Sequence, residues 1–172
     1  MSTVLDVISS RSSIRAYTEE ALSDEVVATL VETVLKAPTA VNKQELHVSV
    51  VKKGNPILTE LQNELNPDAK MTWYYNAPVV LFISGDDSFK WSVLDAGIAV
   101  ENAHLAAASM GLGSVVLGCI DNAMHGANMA AYNEKLGIPE GYSFKIALAV
   151  GKIAAGKEPH AIDTEKNVTY VK

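Results

Sequence analysis

Residues Trp91 to Met110 constrain the fold of this chain more than any other stretch. Ala96, Gly97, Ala99, Ala103, Ala106, Ala107 and Ala108 place small residues nearly all round a helix, and Gly111 follows as a suitable stop. A helix without a wet face must be buried on most sides. In a chain of 172 residues one helix is not easily surrounded by its own domain, so a subunit interface is the natural completion. Asp95, Glu101, Asn102 and His104 interrupt the run, and charge at mid-span is costly in lipid. The stretch therefore reads as a buried helix and not as a membrane span.

The elements around it follow from periodicity and punctuation. Residues 3–10 read as a short helix with Val4, Val7 and Ile8 on one face. Ser23 suits an N-cap, Asp24 and Glu25 suit the positive end of a helix dipole, and the helix runs on to Pro38. Leu46 to Lys52 alternates as a strand, Lys53 to Pro56 turns, and Pro56 to Leu65 forms a helix on Leu58, Leu61 and Leu65. Three more strands are expected at Ala77–Ser84, Gly113–Cys119 and Ser143–Gly151, with a helix at residues 127–136 and an extra strand at 167–171. Helices and strands mix without strict βαβ alternation. The expected fold is α+β, a mixed and mainly antiparallel sheet flanked by helices, as one domain over residues 1–172.

Charge and cysteine narrow the partners. A net charge of −6 leaves no basic surplus for nucleic acid or an anionic membrane. Cys119 is the single cysteine, which allows no internal disulfide, and the N-terminus lacks signal-peptide features; a cytoplasmic location is expected. His47, His104, His125 and His160 are scattered without metal-ligand spacing, so no metal is expected. Gly-x-Ser-x-Gly and Gly-x-x-x-x-Gly-Lys-Ser/Thr loops are both absent from the sequence. Cys119 in an apolar strand reads as an inert core thiol.

One local basic cluster stands out. Arg11, Ser12, Ser13 and Arg15 gather two guanidinium groups and two hydroxyls within five residues, the donor set a phosphate dianion needs. Taken alone, the segment reads as a solvated basic turn after a short helix rather than as a phosphate site. Ser10 to Tyr17, however, resembles the Arg-x-Ser-x-Arg-x-Tyr/Phe opening of the nitroreductase family, and Ala37 to Gln44 resembles its Ala-Pro-Ser-x-x-Asn-x-Gln-Pro motif. Asp95 to Gly113 is similar to the family's long central helix, and Leu136 to Gly141 leading to Ala149-Val150-Gly151 supplies a fourth match in the right order.

That resemblance implies an intertwined homodimer with a shared active site and FMN at the interface. The phosphate would rest on Arg11, Ser12, Ser13 and Arg15; Thr39 would also bind the cofactor, and Asn42 and Gln44 would contact the ring from the other subunit. An amide side chain both donates and accepts, which suits the ring's alternating nitrogens and carbonyls. The backbone at Leu117 and Gly118 would lie near the flavin's reactive edge. Hydride would come from NADH or NADPH and leave to a small electron-poor acceptor such as a nitroaromatic or quinone, with no catalytic side chain required. The alternative is a flavin-binding or carrier dimer without turnover.

Departures from the family pattern are also legible. Glu45 stands where proline is usual, Thr39 and Ala40 replace serines, and the insertion after the Ala77–Ser84 strand is nearly absent. The C-terminal basic phosphate ligand has no clean counterpart; Lys157 and His160 are the nearest. They lie on residues 154–172, which read as an arm embracing the partner subunit. Lys70 stays open between a ring contact and a solvated lysine.

Overall fold

Helix starts fall where capping chemistry places them. The computed structural model describes residues 3–171. Thr3 and Asp6 each accept the other's backbone N–H, a reciprocal capping box that opens α1 (Val4–Ser10). The Ser23 hydroxyl accepts the Val26 N–H at 3.3 Å and opens α2 (Asp24–Leu35). A single 3₁₀ turn at Ala40–Asn42 leads to β1 (Leu46–Lys52). Asn55 caps α3 (Pro56–Leu65), whose first residue, proline, has no N–H to leave unpaired.

β2 (Val79–Asp86) starts after Pro78 and continues two residues past Ser84. Then come α4 (Ser92–Ser109), β3 (Leu112–Leu117), a one-turn α5 (Asp121–Met124) that the sequence does not signal, and α6 (Met129–Leu136). Gly137 closes α6 at φ +65, where an L side chain would be strained. β4 (Tyr142–Lys152) and the short α7 (Thr164–Asn167) complete the order.

The sheet order is β1-β2-β4-β3, and every strand pair is antiparallel. The expected mixed sheet is thus corrected: the only parallel pairing among the described residues is the isolated bridge Ser13–Ser114. It arises because the N-terminal segment, not another strand, lies along the outer edge of β3. Gly113 permits this close approach, since a Cβ there would stand 2.6 Å from Ile14 Cγ2.

Central strand β2 is covered on both faces, as its continuous apolar run requires. Val80 and Phe82 pack with Leu58, Leu61, Trp73 and Phe144, while Val79, Leu81 and Ile83 pack with Leu30, Val34, Ala96, Ala99 and Ala103. The alanines let α4 lie close to α2 and the sheet. The opposite face of α4 is bare: Val93 is 67% exposed and Leu94 57%. The helix that the sequence predicts to be buried nearly all round is therefore covered by its own chain on one side only.

Two further expectations change. Cys119 is exposed and lies beyond the end of β3, not in the core. Residues 167–171 form no strand: Asp163 caps α7 by accepting the Lys166 N–H, and Val168 to Val171 follow without regular pairing. Residues 152–171 are exposed throughout. No helix among the described residues is long and apolar enough to cross a membrane.

Candidate functional site

The basic segment is held against the sheet by backbone bonds. Ile14 N–H donates to Ser114 O at 3.0 Å, Thr18 N–H to Lys152 O at 2.9 Å, and Ala154 N–H to Ala16 O at 3.0 Å. The Tyr17 hydroxyl donates to Ile14 O at 2.6 Å and pins the turn from inside. Alternation then turns Ile14 into the core and Arg15 to solvent, with Ser12 and Ser13 half-buried. The Ser12 hydroxyl donates to Lys157 O at 2.6 Å, so the start of the C-terminal segment reaches this cluster. The Arg15 guanidinium lies over the Tyr75 ring, 5.8 Å from its centroid. His160 is exposed and, among the described residues, shares no hydrogen bond or ion pair with the cluster; Lys70 is exposed as well.

Leu117 and Gly118 occupy the same edge. Ser114 pairs with Val150 and Leu117 with Ala147, so Ser13 and Gly118 mark two points on one sheet edge roughly 13 Å apart. Leu117 is buried and Gly118 exposed.

Asn42 and Gln44 are elsewhere. They precede β1, the far strand, on a loop where Val41, Asn42 and Gln44 all adopt φ near +55. Three such residues without a glycine store strain that neighbouring contacts must hold. The Thr39 hydroxyl accepts the Gln44 N–H at 2.9 Å, the Gln44 amide donates to Asn42 Oδ1 at 3.0 Å, and Ala40 N–H donates to Asp95 Oδ2 at 3.0 Å. Lys43 pairs with Asp86 at 2.5 Å; this bond and those from Ser88 bring the Asp86 carboxyl down to about 2. Ser114 and Leu46 are separated by three inter-strand steps and, along the strand direction, by six residues from Lys52 to Leu46. That makes them diagonal corners on the order of 25 Å apart. One chain therefore brings together Arg11, Ser12, Ser13, Arg15, Leu117, Gly118 and the backbone of Lys157, but not Thr39, Asn42 and Gln44.

Each corner rests on a buried polar group. Glu45 is 3% exposed, and neither of its carboxyl oxygens has a hydrogen-bond donor. Burial raises its pKa, and the neighbouring Asp95 carboxyl raises it further. At the other corner His104, 2% exposed on α4, lies 3.4 Å from the Arg11 guanidinium. Burial, with the Arg11 charge, lowers its pKa to about 4. Neither role follows from motif reading. The available signal is spacing: Asp95, Ala99 and Ala103 recur at i+4, and His104 adjoins the same buried stripe. Among the described residues no group of His, Cys, Asp and Glu is arranged to hold a metal.

Comparison with known proteins identifies the family and the fold. Residues 8–152 match the model of the nitroreductase family. An Archaeoglobus fulgidus protein, provisionally named NADH dehydrogenase/NAD(P)H nitroreductase, is 32% identical over 146 residues, covering 81% of this chain and 79% of its own. The crystal structure of a nitroreductase with bound FMN from Desulfitobacterium hafniense superposes with a TM-score of 0.88 at 28% identity over 100% of both chains. An FMN-dependent nitroreductase of Clostridium difficile gives 0.83 at 30% identity, covering 98% of this chain and 99% of that one.

Proposed function

This chain belongs to the nitroreductase family and is an NAD(P)H oxidoreductase that uses FMN; on that premise we propose a homodimer with shared active sites that passes reducing equivalents to a small electron-poor acceptor, such as a nitroaromatic or quinone. The observation that carries the shared site is the diagonal separation of the two motif corners within one chain. A second subunit can bring its Asn42 and Gln44 to the edge that holds Arg11, Ser13 and Gly118. The bare apolar face of α4, with Val93, Leu94 and Ile98, and the exposed Val4, Leu5 and Ile8 of α1 supply surface for such an association. The arm at residues 154–172, with exposed Val168, Tyr170 and Val171, is the segment we assign to the partner's surface.

The residues fit FMN. The two arginines and two serines supply fork-shaped and neutral donors for a phosphate, and the outer edge of β3 leads from them to the exposed Gly118. The flavin, when bound, supplies the hydride acceptance and release that no side chain here performs. Arg11 and Arg15 would neutralise the phosphate, Ser13 would orient it, Ser12 would join once its hydroxyl leaves Lys157 O, and the backbone N–H groups at the end of β3 would serve the ring. Thr39 holds the loop by accepting the Gln44 N–H, which keeps the two amides turned outward. Lys157 and His160 sit on the arm, and only Lys157 has a described link to the phosphate cluster.

Subunit mixing tests the shared site. Heterodimers of Arg15→Ala with Asn42→Ala/Gln44→Ala regain one intact site if each site draws on both chains. About half the wild-type flavin and NADH-driven bleaching then return; if both corners of a site come from one chain, neither does. A flavin that NADH and NADPH both fail to bleach in the wild-type protein identifies a carrier instead.

A further inference from the structure

The Arg11 side chain, 20% exposed, packs against α4, and its surroundings are unusual. Its NH1 lies 3.4 Å from His104 Nε2 and its Nε 3.5 Å from Glu101 Oε1. A guanidinium is always protonated and only donates, so in the tautomer that bonds Arg11 the imidazole accepts at Nε2 and carries its proton on Nδ1, with the Ser12 backbone also beside the ring. That Nδ1 is buried without a hydrogen-bond partner, since Glu101 Oε2 at 3.9 Å is beyond bonding distance. A buried ring with an unpaired N–H is a liability that a leucine at this position would avoid. Arg11, Ser12, His104 and Ser114 share one small cavity beneath the basic segment, and Ala108 and Gly111 help to close it.

We infer that His104 is a positioning residue that holds the Arg11 guanidinium at the phosphate corner. The inference rests on the phosphate role of Arg11 proposed above. A free arginine side chain has many rotamers to lose on binding an anion. Fixing the guanidinium between α4 and the basic segment removes much of that loss before the anion arrives. The two supports act differently. Glu101 orients Arg11 but offsets its charge, whereas a neutral imidazole accepts one N–H and leaves the full positive charge to face the phosphate. Only two of the five guanidinium N–H donors are engaged, so the rest stay available.

The test compares His104→Leu, His104→Gln, Arg11→Ala and Arg11→Ala/His104→Leu by FMN titration, followed by flavin fluorescence, with the melting temperature of each flavin-free protein measured alongside. The amide oxygen of Gln can accept the same N–H, so His104→Gln is expected to stay within about threefold of wild type, while His104→Leu weakens FMN about tenfold. Once Arg11 is gone, His104→Leu should add nothing. A purely structural His104 would give additive losses in the double variant that track the melting temperature, and that result overturns the inference. Full FMN affinity in His104→Leu beside a loss in Arg11→Ala overturns it too. Full affinity in Arg11→Ala refutes the phosphate role itself, a distinct failure.

Discussion

The corner at Arg11–Arg15 and the corner at Thr39–Gln44 are built in opposite ways. The first is backbone-bonded to β3 and β4 and packed through Ile14, and needs no unusual dihedral. The second juts from the start of β1 with three left-handed residues, exposed amides and a buried carboxyl beneath that has no donor. One is a finished anchor; the other is strained and exposed. Strain of this kind persists where surrounding contacts over-determine it, and it gathers at ligand-binding loops. Under the proposed shared site, the difference means that the anchor is complete within one subunit, while the loop has its reason in what it meets from the other.

The largest test of this contrast separates the subunits. Ile98→Glu puts a charge on the bare face of α4, and an unpaired charge in a closed interface costs about 3–5 kcal/mol. Sedimentation should show monomers at micromolar protein, with most flavin lost; a yellow dimer would return both corners to one chain. Ala103 and Ala107 are unsuitable for this purpose. Both are fully buried within the chain's own core, so Glu there is expected to unfold the protein rather than divide it.

Arg15→Ala tests the anchor directly. A charge-assisted contact contributes about 1.5–3 kcal/mol, so FMN affinity should fall on the order of ten- to a hundredfold with the melting temperature of the flavin-free protein unchanged. Stoichiometric flavin retained through dialysis would remove Arg15 from the phosphate site. Deleting residues 155–172 is a smaller perturbation, because the described link from Ser12 to Lys157 is a single neutral bond of about 1 kcal/mol. FMN affinity should drop several-fold and dimerisation weaken, and a truncated protein that stays dimeric, yellow and active would show the arm to be dispensable.

The smallest effect probes the strained corner. Burial holds the Glu45 pKa above the usual carboxylate range, so the folded chain prefers the protonated acid more than the unfolded chain does. The sign follows: folded stability is greatest below the ordinary carboxylate pKa and falls as pH rises through the shifted value. Glu45→Gln keeps a donor toward Asp95 without a charge to bury. It should flatten that part of the stability–pH curve. Equal slopes in thermal melts of both proteins from pH 4 to 8 would show that the carboxyl is relieved in some other way.

Much of this was legible in residues alone. Ser23, Asn55, Pro56 and Gly137 mark helix ends because capping and φ preference act within a few residues. The strand Leu46–Lys52 and the helix Pro56–Leu65 match to the residue for the same reason, and the basic cluster is visible because its donors are contiguous. Local order and the identity of the phosphate-type donors were thus determined by the sequence. Tertiary structure decided what depends on distant neighbours. It placed Cys119 outside the core, left Asn167–Val171 without a strand to pair with, and turned one face of α4 inward and the other out. It also set the two motif corners at opposite ends of the sheet and buried Glu45 and His104 beneath them. Those outcomes rest on strand order and packing across tens of residues, and no short window of sequence contains them.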